Sequence, residues 1–470
     1  MIGAYPVRDI RAAESALMAQ LPPGALMQRA AAALAARCAR LLRGPYGARV
    51  VVLVGAGDNG GDALYAGARL ARRGARVDAV LVRPERAHGQ GLAALRAAGG
   101  QVTSDPIRAV AGSDLVVDGL VGIGGSGGLR AEAADLAELA RDGGLVVAVD
   151  LPSGVDADTG ELPGSHVVAD VTVTFGARKI GLVVDPAAAA AGRVEHIDIG
   201  LGPFLAEPAV EVLEPADVAD RLPRPRRDAD KYSRGVVGVV AGSPEFAGAA
   251  VLTVGGAVRS GAGMVRYLGS DEAARQVRHH WPESVAASGR VQAWVVGPGL
   301  GSDAEGAVNT VLAAAGPAVV DADGLRFLPR RLETPTLLTP HAGELARLLG
   351  VDRDDVESRR LHHARAAATQ WNAVVLLKGS TTLVVAPDGR VRANPTGTPA
   401  LATAGSGDVL AGLAGALLAA GLDPFDAGSV AAYVHGAAGR LAAEPAAYPS
   451  ATDVLDALPD ALTRVGRIGG

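Results

Sequence analysis

With 470 residues the chain is too long for one ordinary hydrophobic core, so two domains are expected. Its 49% hydrophobic and 20% charged residues fit a globular protein, and a formal net charge of −5 gives no reason to expect nucleic acid or an anionic membrane as partner. The single Cys38 excludes an internal disulfide framework and a Cys-based zinc site.

The start, Met1–Ile10, lacks a basic stretch followed by an apolar one, so no signal peptide is expected. No apolar run reaches the roughly 18 uninterrupted residues of a membrane span, and the cytoplasm is the expected location. Ile10–Gln20 and Ala25–Leu42 read as helices broken by Pro22-Pro23-Gly24. Strand-like and helix-like runs then alternate. Strands are predicted at Val50–Val54, Arg76–Val82, Asp114–Asp118, Leu145–Asp150, Val171–Phe175 and Arg193–Ile199. Helices are predicted at Asp62–Arg73, Gly91–Ala98 and Ala131–Arg141. The strands are apolar on both faces, as parallel strands covered by helices should be. The class is therefore α/β, with a Rossmann-like doubly wound sheet in the first half.

The proline-rich stretch Pro203–Arg227, carrying Pro203, Pro208, Pro215, Pro223 and Pro225, with the charged run Arg224–Asp230, reads as the junction. It gives domains of 1–214 and 215–470. A second α/β series follows. Its strands are predicted at Gly235–Ala241, Met264–Leu268, Ala293–Val296, Ala318–Asp321, Val374–Leu377 and Thr382–Val385. Its helices are predicted at Ala247–Ser260, Ala304–Ala315, Pro340–Leu349, Gly407–Ala420 and Phe425–Ala443.

Each half carries a glycine-rich loop running into an aspartate. Gly55-Ala56-Gly57-Asp58-Asn59-Gly60-Gly61-Asp62 follows the first strand, and Gly405-Ser406-Gly407-Asp408 opens a helix. Glycine lets backbone N–H groups approach an anion, and a helix N-terminus adds positive partial charge. In open α/β sheets ligands bind beyond the carboxyl ends of strands, where Asp118 with Gly122–Gly128 and Asp150–Gly154 also lie. The amide, carboxylate and hydroxyl of Asn59, Asp118 and Ser153 are hard oxygen donors that suit an alkali or alkaline-earth cation. Capping of a helix is the plain alternative for Asp58 and Asp62. Asp78 is the available, mediocre acidic partner for a ribose. Of 45 basic residues only Lys179, Lys231 and Lys378 are lysine, and all three fall beside glycine-rich or strand-end segments. In the second half Asp408 stands where it can take a proton from an attacking hydroxyl, and Lys378–Thr382 can grip phosphates. Gly297–Gly301 is a further turn at a strand end, and Thr339–Glu344 starts a helix with proline at or near its first position. Capping is the favoured reading of His341 taken alone.

Val54–Asp62, Val117–Leu120 and Asp150–Gly154, with Phe175–Lys179, resemble the NAD(P)H-hydrate epimerase domain. Asp58 stands where that family has an asparagine, Ala63 where it has a glycine, and Gly122–Gly128 is a looser form of its Gly-Thr-Gly loop. The resemblance implies that Asn59, Asp118 and Ser153 bind K+. It implies that Asp58, Asn59, Gly60, Gly61, Asp62, Gly122, Ile123, Gly124, Gly125, Ser126, Gly127, Gly128 and Asp150 contact the hydrated dinucleotide. Asp150 is the carboxylate expected to carry the proton traffic.

Ala241–Ser243 with Gly248–Ala250, Gly297–Gly301, Thr339–Glu344, Lys378–Thr382 and Ala402–Gly412 resemble the ribokinase-like superfamily, and within it the ADP/ATP-dependent NAD(P)H-hydrate dehydratases. The resemblance implies that Lys378, Gly379, Ser380, Thr381, Thr382 and Gly407 hold the adenine nucleotide. It implies that Ala249, Gly301, His341 and Asp408 face the hydrate, with Asp408 catalytic. The order of the two halves matches fused bifunctional repair enzymes. The implied substrates are NADHX, NADPHX and ADP as phosphoryl donor, with Mg2+, and a homo-oligomer is expected. The alternative is a ribokinase-like vitamin kinase with a non-catalytic, binding N-terminal domain, which leaves residues 1–210 unexplained.

Overall fold

The structure is a computed structural model that describes residues 1–224 and 227–467. Pro225, one of the junction prolines, and Arg226 in the charged run lie outside the described residues. The chain folds as two compact units, one spanning Gly3–Val210 and one made of Met1–Ile2 with the chain from Glu211 onward.

The first unit holds seven parallel strands in the order Gln101–Val102, Arg76–Leu81, Arg49–Val54, Leu115–Gly119, Leu145–Val149, Val171–Phe175, Arg193–Ile197. Val50, Val52 and Val54 join the core on one face, with helices Ala25–Leu41 and Asp58–Ala71. Val51 and Leu53 join the core on the other, with Leu136 and Val167. Burial on both faces is why the strand reads as an unbroken apolar run. The strand order reverses between Arg49–Val54 and Leu115–Gly119, which opens a crevice at their carboxyl ends. The two strand ends are bound together there, since Gly55 N donates to Gly119 O at 3.0 Å. A Cβ on Gly55 would stand 1.7 Å from Leu120 O, so only glycine fits.

In the second unit eight strands lie side by side in the order Met264–Tyr267, Val236–Val240, Ala293–Val296, Ala318–Val320, Thr336–Leu338, Val374–Leu377, Thr382–Val385, Val391–Asn394. The first six are parallel, Thr382–Val385 runs opposite to them, and Val391–Asn394 turns back to their direction. The helix Ser406–Ala419 is apolar nearly all round and buried along its length, as a core helix should be. It packs tightly on Ala247–Arg259: a Cβ on Gly412 would meet Thr253 O at 2.0 Å, and one on Gly256 would meet Val409 O at 2.4 Å.

Most predicted elements are present with ends shifted by a residue or two. The helix expected from Asp62 begins at Asp58, and the one expected from Pro340 begins at Ala342. Unread from the sequence were the helices Asp271–His280, Arg360–Trp371 and Ala451–Gly466 and the strands Thr336–Leu338 and Val391–Asn394. Three of them lack a plain sequence signal for a physical reason. Arg360–Trp371 buries Arg360 and His363, Ala451–Gly466 carries Pro459 inside it, and Thr336–Leu338 has only three residues. No helix among the described residues is long and apolar enough to cross a membrane.

Candidate active sites

In the first unit the crevice gathers the three loops read from the sequence. Asp118 is wholly buried near the end of its strand. It accepts from Ser153 Oγ at 2.6 Å, Ser153 N at 2.8 Å and Leu120 N at 3.2 Å. All three donors are neutral, and burial pushes its carboxyl up to about 6 against these hydrogen bonds. Asn59 donates Nδ2 to Val149 O at 2.9 Å, and its Oδ1 faces Gly122, where a Cβ would come within 3.1 Å. Ser153 Oγ also accepts from Val121 N at 2.8 Å. Asn59, Asp118, Ser153 and Gly122 are therefore neighbours. Gly60 lies against Gly55 O, where a Cβ would come within 2.4 Å, and Gly61 packs toward Met27 and His88. Of the remaining loop, Ile123 packs into the apolar core, Gly124 lies beside Arg11, and Gly125, Ser126 and Gly127 are exposed, with Gly128 against Gly164.

Asp150 follows its strand with φ of 69°, a left-handed conformation unusual for a residue with a side chain. Its Oδ1 accepts from Phe175 N at 3.1 Å, Thr174 Oγ1 at 3.2 Å and the Lys179 ammonium. Lys179 is buried and also donates to Thr174 Oγ1 at 3.1 Å. Asp58 and Asp62 do not cap the helix: Gly57 is the capping residue, Asp58 is already helical, and the first turn has no side-chain cap. Asp62 Oδ1 is buried without a hydrogen-bond partner. Burial, with the charges of Asp150, Asp58 and Glu14, holds the Asp62 carboxyl well above the usual range. Glu14, from the helix Val7–Met18, is raised by burial and by the Asp150 charge. Asp78 fails as a ribose partner, because it sits mid-strand and pairs with Arg76 at 3.3 Å.

In the second unit Lys378 Nζ contacts Asp321 Oδ1 at 2.9 Å and lies 3.7 Å from Glu344 Oε2. Burial works against the Lys378 ammonium and is outweighed by Asp321 and Glu344, so its pKa is raised. Asp408 is pushed up to about 7, first by burial and then by the Asp321 charge, with Lys378 opposing. It stands in the first turn of the helix Ser406–Ala419. A Cβ on Gly407 would lie 3.5 Å from Lys378 Nζ, so this backbone faces the lysine directly. Gly301 N donates to Asp323 Oδ2 at 2.9 Å, and Ala249 packs against Gly299, where a Cβ would come within 2.7 Å.

His341 is the helix cap: its Nδ1 accepts from Gly343 N at 3.0 Å and Glu344 N at 3.2 Å, while Glu344 Oε2 accepts from His341 N at 2.8 Å. Pro340 therefore precedes the cap and is not the first helical residue. Burial lowers the His341 imidazole, so it stays neutral with Nε2 as its remaining polar atom. Arg360, unread from the sequence, props the loop from Lys378 to Thr382. Its Nη2 donates to Lys378 O at 3.0 Å and to Leu377 O and Thr381 O at 3.3 Å. Gly379 lies flat on that guanidinium, with a Cβ position 2.3 Å from Nη2. Thr382 Oγ1 donates to Gly379 O at 3.2 Å, and Ser380 O backs onto Gly397. Lys231 joins neither site; it is exposed, 5.3 Å from the ring centre of Tyr232.

Known proteins resemble both units. Residues 237–460 match the family model described as NAD(P)H-hydrate dehydratase, and residues 23–181 match that of the YjeF-related protein N-terminus. The bifunctional NAD(P)H-hydrate repair enzyme of Mycobacterium leprae is 49% identical over 96% of this chain and 95% of its own length. That of Corynebacterium glutamicum is 38% identical over 88% of this chain and 87% of its own. The crystal structure of the ADP/ATP-dependent NAD(P)H-hydrate dehydratase of Bacillus subtilis, grown with ATP/Mg2+, matches 55% of this chain and 99% of its own, with TM-score 0.52 and 32% identity. A chain that aligns nearly end to end with fused repair enzymes, and sets buried acids beside lysines in both of its units, belongs to the bifunctional NAD(P)H-hydrate repair enzyme family.

Proposed function

We propose that the chain restores hydrated nicotinamide dinucleotides, epimerising NADHX and NADPHX in its first unit and dehydrating the S epimer in its second with ADP. The observation that carries the reading is the second site, where Asp408, held partly protonated near neutral pH, shares a helix start with the Lys378–Asp321 pair. A hydroxyl is a poor leaving group, and a phosphate ester is a good one. Asp408 takes the proton of the C6 hydroxyl as its oxygen attacks the β-phosphorus of ADP, and AMP leaves. Loss of phosphate from C6 together with a proton from C5 then forms the C5=C6 bond and restores the dihydropyridine ring. Lys378 and the N–H groups around Gly407 meet the charge on the transferring group. Ser380, Thr381 and Thr382 belong to the loop that seats the nucleotide, while Ala249, Gly301 and His341 Nε2 face the hydrate. Mg2+ bound to the nucleotide would offset the charge of its phosphates beside Lys378.

In the first unit Asp150 handles the proton of the C6 hydroxyl. Asp118, Asn59 and Ser153 fit K+. Asp118 is a buried carboxylate with only neutral donors, so one positive charge would offset its burial. One carboxylate among amide, hydroxyl and carbonyl oxygens suits a large monovalent ion, which when bound would anchor the crevice loops and an oxygen of the substrate. The lyase and isomerase classes, a cytoplasmic location, domains of 1–214 and 215–470, and a homo-oligomer complete the proposal. Incubating the purified chain with racemic hydrate and either ADP or ATP, and following the absorbance of reduced nicotinamide, tests it. Full recovery that needs nucleotide supports the reading, a faster rate with ADP fixes the donor, and no recovery refutes it.

A further inference from the structure

Resting on that reading of the first unit, we infer that Asp62 is a second catalytic residue of epimerisation, the acid that protonates the ring nitrogen, while Lys179 positions Asp150 as the base. The hydroxyl-bearing C6 of the hydrate is bonded to N1, so the centre is a hemiaminal. Inverting it requires a bond at C6 to break. Asp150 takes the hydroxyl proton, C6 becomes an aldehyde carbon, and the C6–N1 electron pair moves to N1. N1 receives the proton of Asp62. Rotation about C5–C6 presents the other face. The reverse steps then return one proton to Asp62 and one from Asp150 to oxygen, so both carboxyls end as they began.

The geometry divides the two roles. The donors from Phe175, Thr174 and Lys179 all land on Oδ1 of Asp150, which leaves Oδ2 as the atom for the hydroxyl proton. Lys179 is locked by its second bond, to Thr174, and is buried, so it holds Asp150 in one orientation. Among the described residues Asp62 has no ion-pair partner, and its buried Oδ1 has no hydrogen-bond partner. A buried carboxyl in that state favours the neutral, proton-bearing form. Asp62 and Asp150 belong to one crevice, because Asn59, three residues before Asp62 on the same helix, bonds to the carbonyl of Val149, the residue before Asp150. Asp58 and Glu14 add negative charge around Asp62, and Arg11 and Lys179 act on Glu14 in the opposite sense. One carboxyl bonded to an ammonium and one buried without any cation are the unlike pair of surroundings that acid–base catalysis uses.

The test uses full-length Asp62→Asn, Asp62→Glu and Lys179→Met proteins with the R hydrate, coupled to the chain's own nucleotide-driven dehydration. Asp62→Asn is expected to lower kcat for epimerisation on the order of 10²–10³-fold with little change in KM. Asp62→Glu is expected to regain part of that loss. Lys179→Met is expected to lower kcat with little change in KM, because Asp150 loses the group that positions it. In the wild type the rate should fall as pH rises through the raised Asp62 pKa, and that limb should vanish in Asp62→Asn. A wild-type kcat for Asp62→Asn, or a loss confined to KM, overturns the inference. A wild-type urea midpoint for the first unit shows that each variant is folded, and normal dehydration of the S hydrate shows that the coupling step is intact. Absence of epimerisation in the wild type would instead refute the reading of the first unit.

Discussion

Lysine is so scarce in this chain that its placement carries information: two of the three lysines are set against carboxylates in the two crevices. A compact ammonium fits a buried carboxylate that a forked guanidinium would crowd. Asp408→Asn is expected to cost on the order of 10²–10⁴ in dehydration rate and to leave epimerisation intact, because an amide cannot accept the hydroxyl proton. The working form of Asp408 is the carboxylate, so kcat for dehydration should rise with pH and level off above its value of about 7. A flat profile from pH 5.5 to about 8.5 would count against Asp408 as base. Lys378→Ala is expected to raise KM for ADP about tenfold or more, with a smaller change for the hydrate, since about 1.4 kcal/mol of phosphate contact is lost. It should also move the Asp408 limb upward, because Lys378 is the cation that opposes the rise. An unchanged ADP dependence would make Lys378 structural. The sequence pointed to Asp118, Asp150, Asp408 and Lys378 because each stands at a strand end or helix start beside glycine. Asp321 also stands at a strand end but has no glycine next to it in sequence, and Glu14 and Arg360 carried no such local sign, since each reaches its site from a helix remote in the chain.

At the scale of elements, the loop from Lys378 to Thr382 keeps its shape through one buried side chain. Arg360 holds two of its carbonyls and that of Leu377 just before it, and approaches Glu357 at 3.1 Å. Arg360→Ala leaves those buried acceptors unpaired and should destabilise the second unit by about 3 kcal/mol. Its urea midpoint should fall and ADP affinity with it, while epimerisation stays near normal. A wild-type midpoint would show that the guanidinium is dispensable. The parallel strands were legible because burial on both faces writes a continuous Val/Leu run. The helix Arg360–Trp371 was not, because the side chain that supports the site is an arginine where the helical period calls for an apolar residue.

At the scale of the whole molecule, the proline-rich junction and the two glycine cradles pointed to two α/β units with one site each, and the chain's likeness to fused repair enzymes extends over 96% of its length. The central claim is that each unit performs its own step, and Asp118→Ala in a racemic assay with saturating ADP tests it most directly. Asp118 carries the one formal charge of the proposed K+ set, so its loss should weaken the ion most. The S epimer should still be dehydrated at the wild-type rate. About half the cofactor should return quickly and the rest only at the slow spontaneous rate, as expected when one of two independent sites fails. Complete fast recovery, or an equal slowing of both phases, would contradict the account.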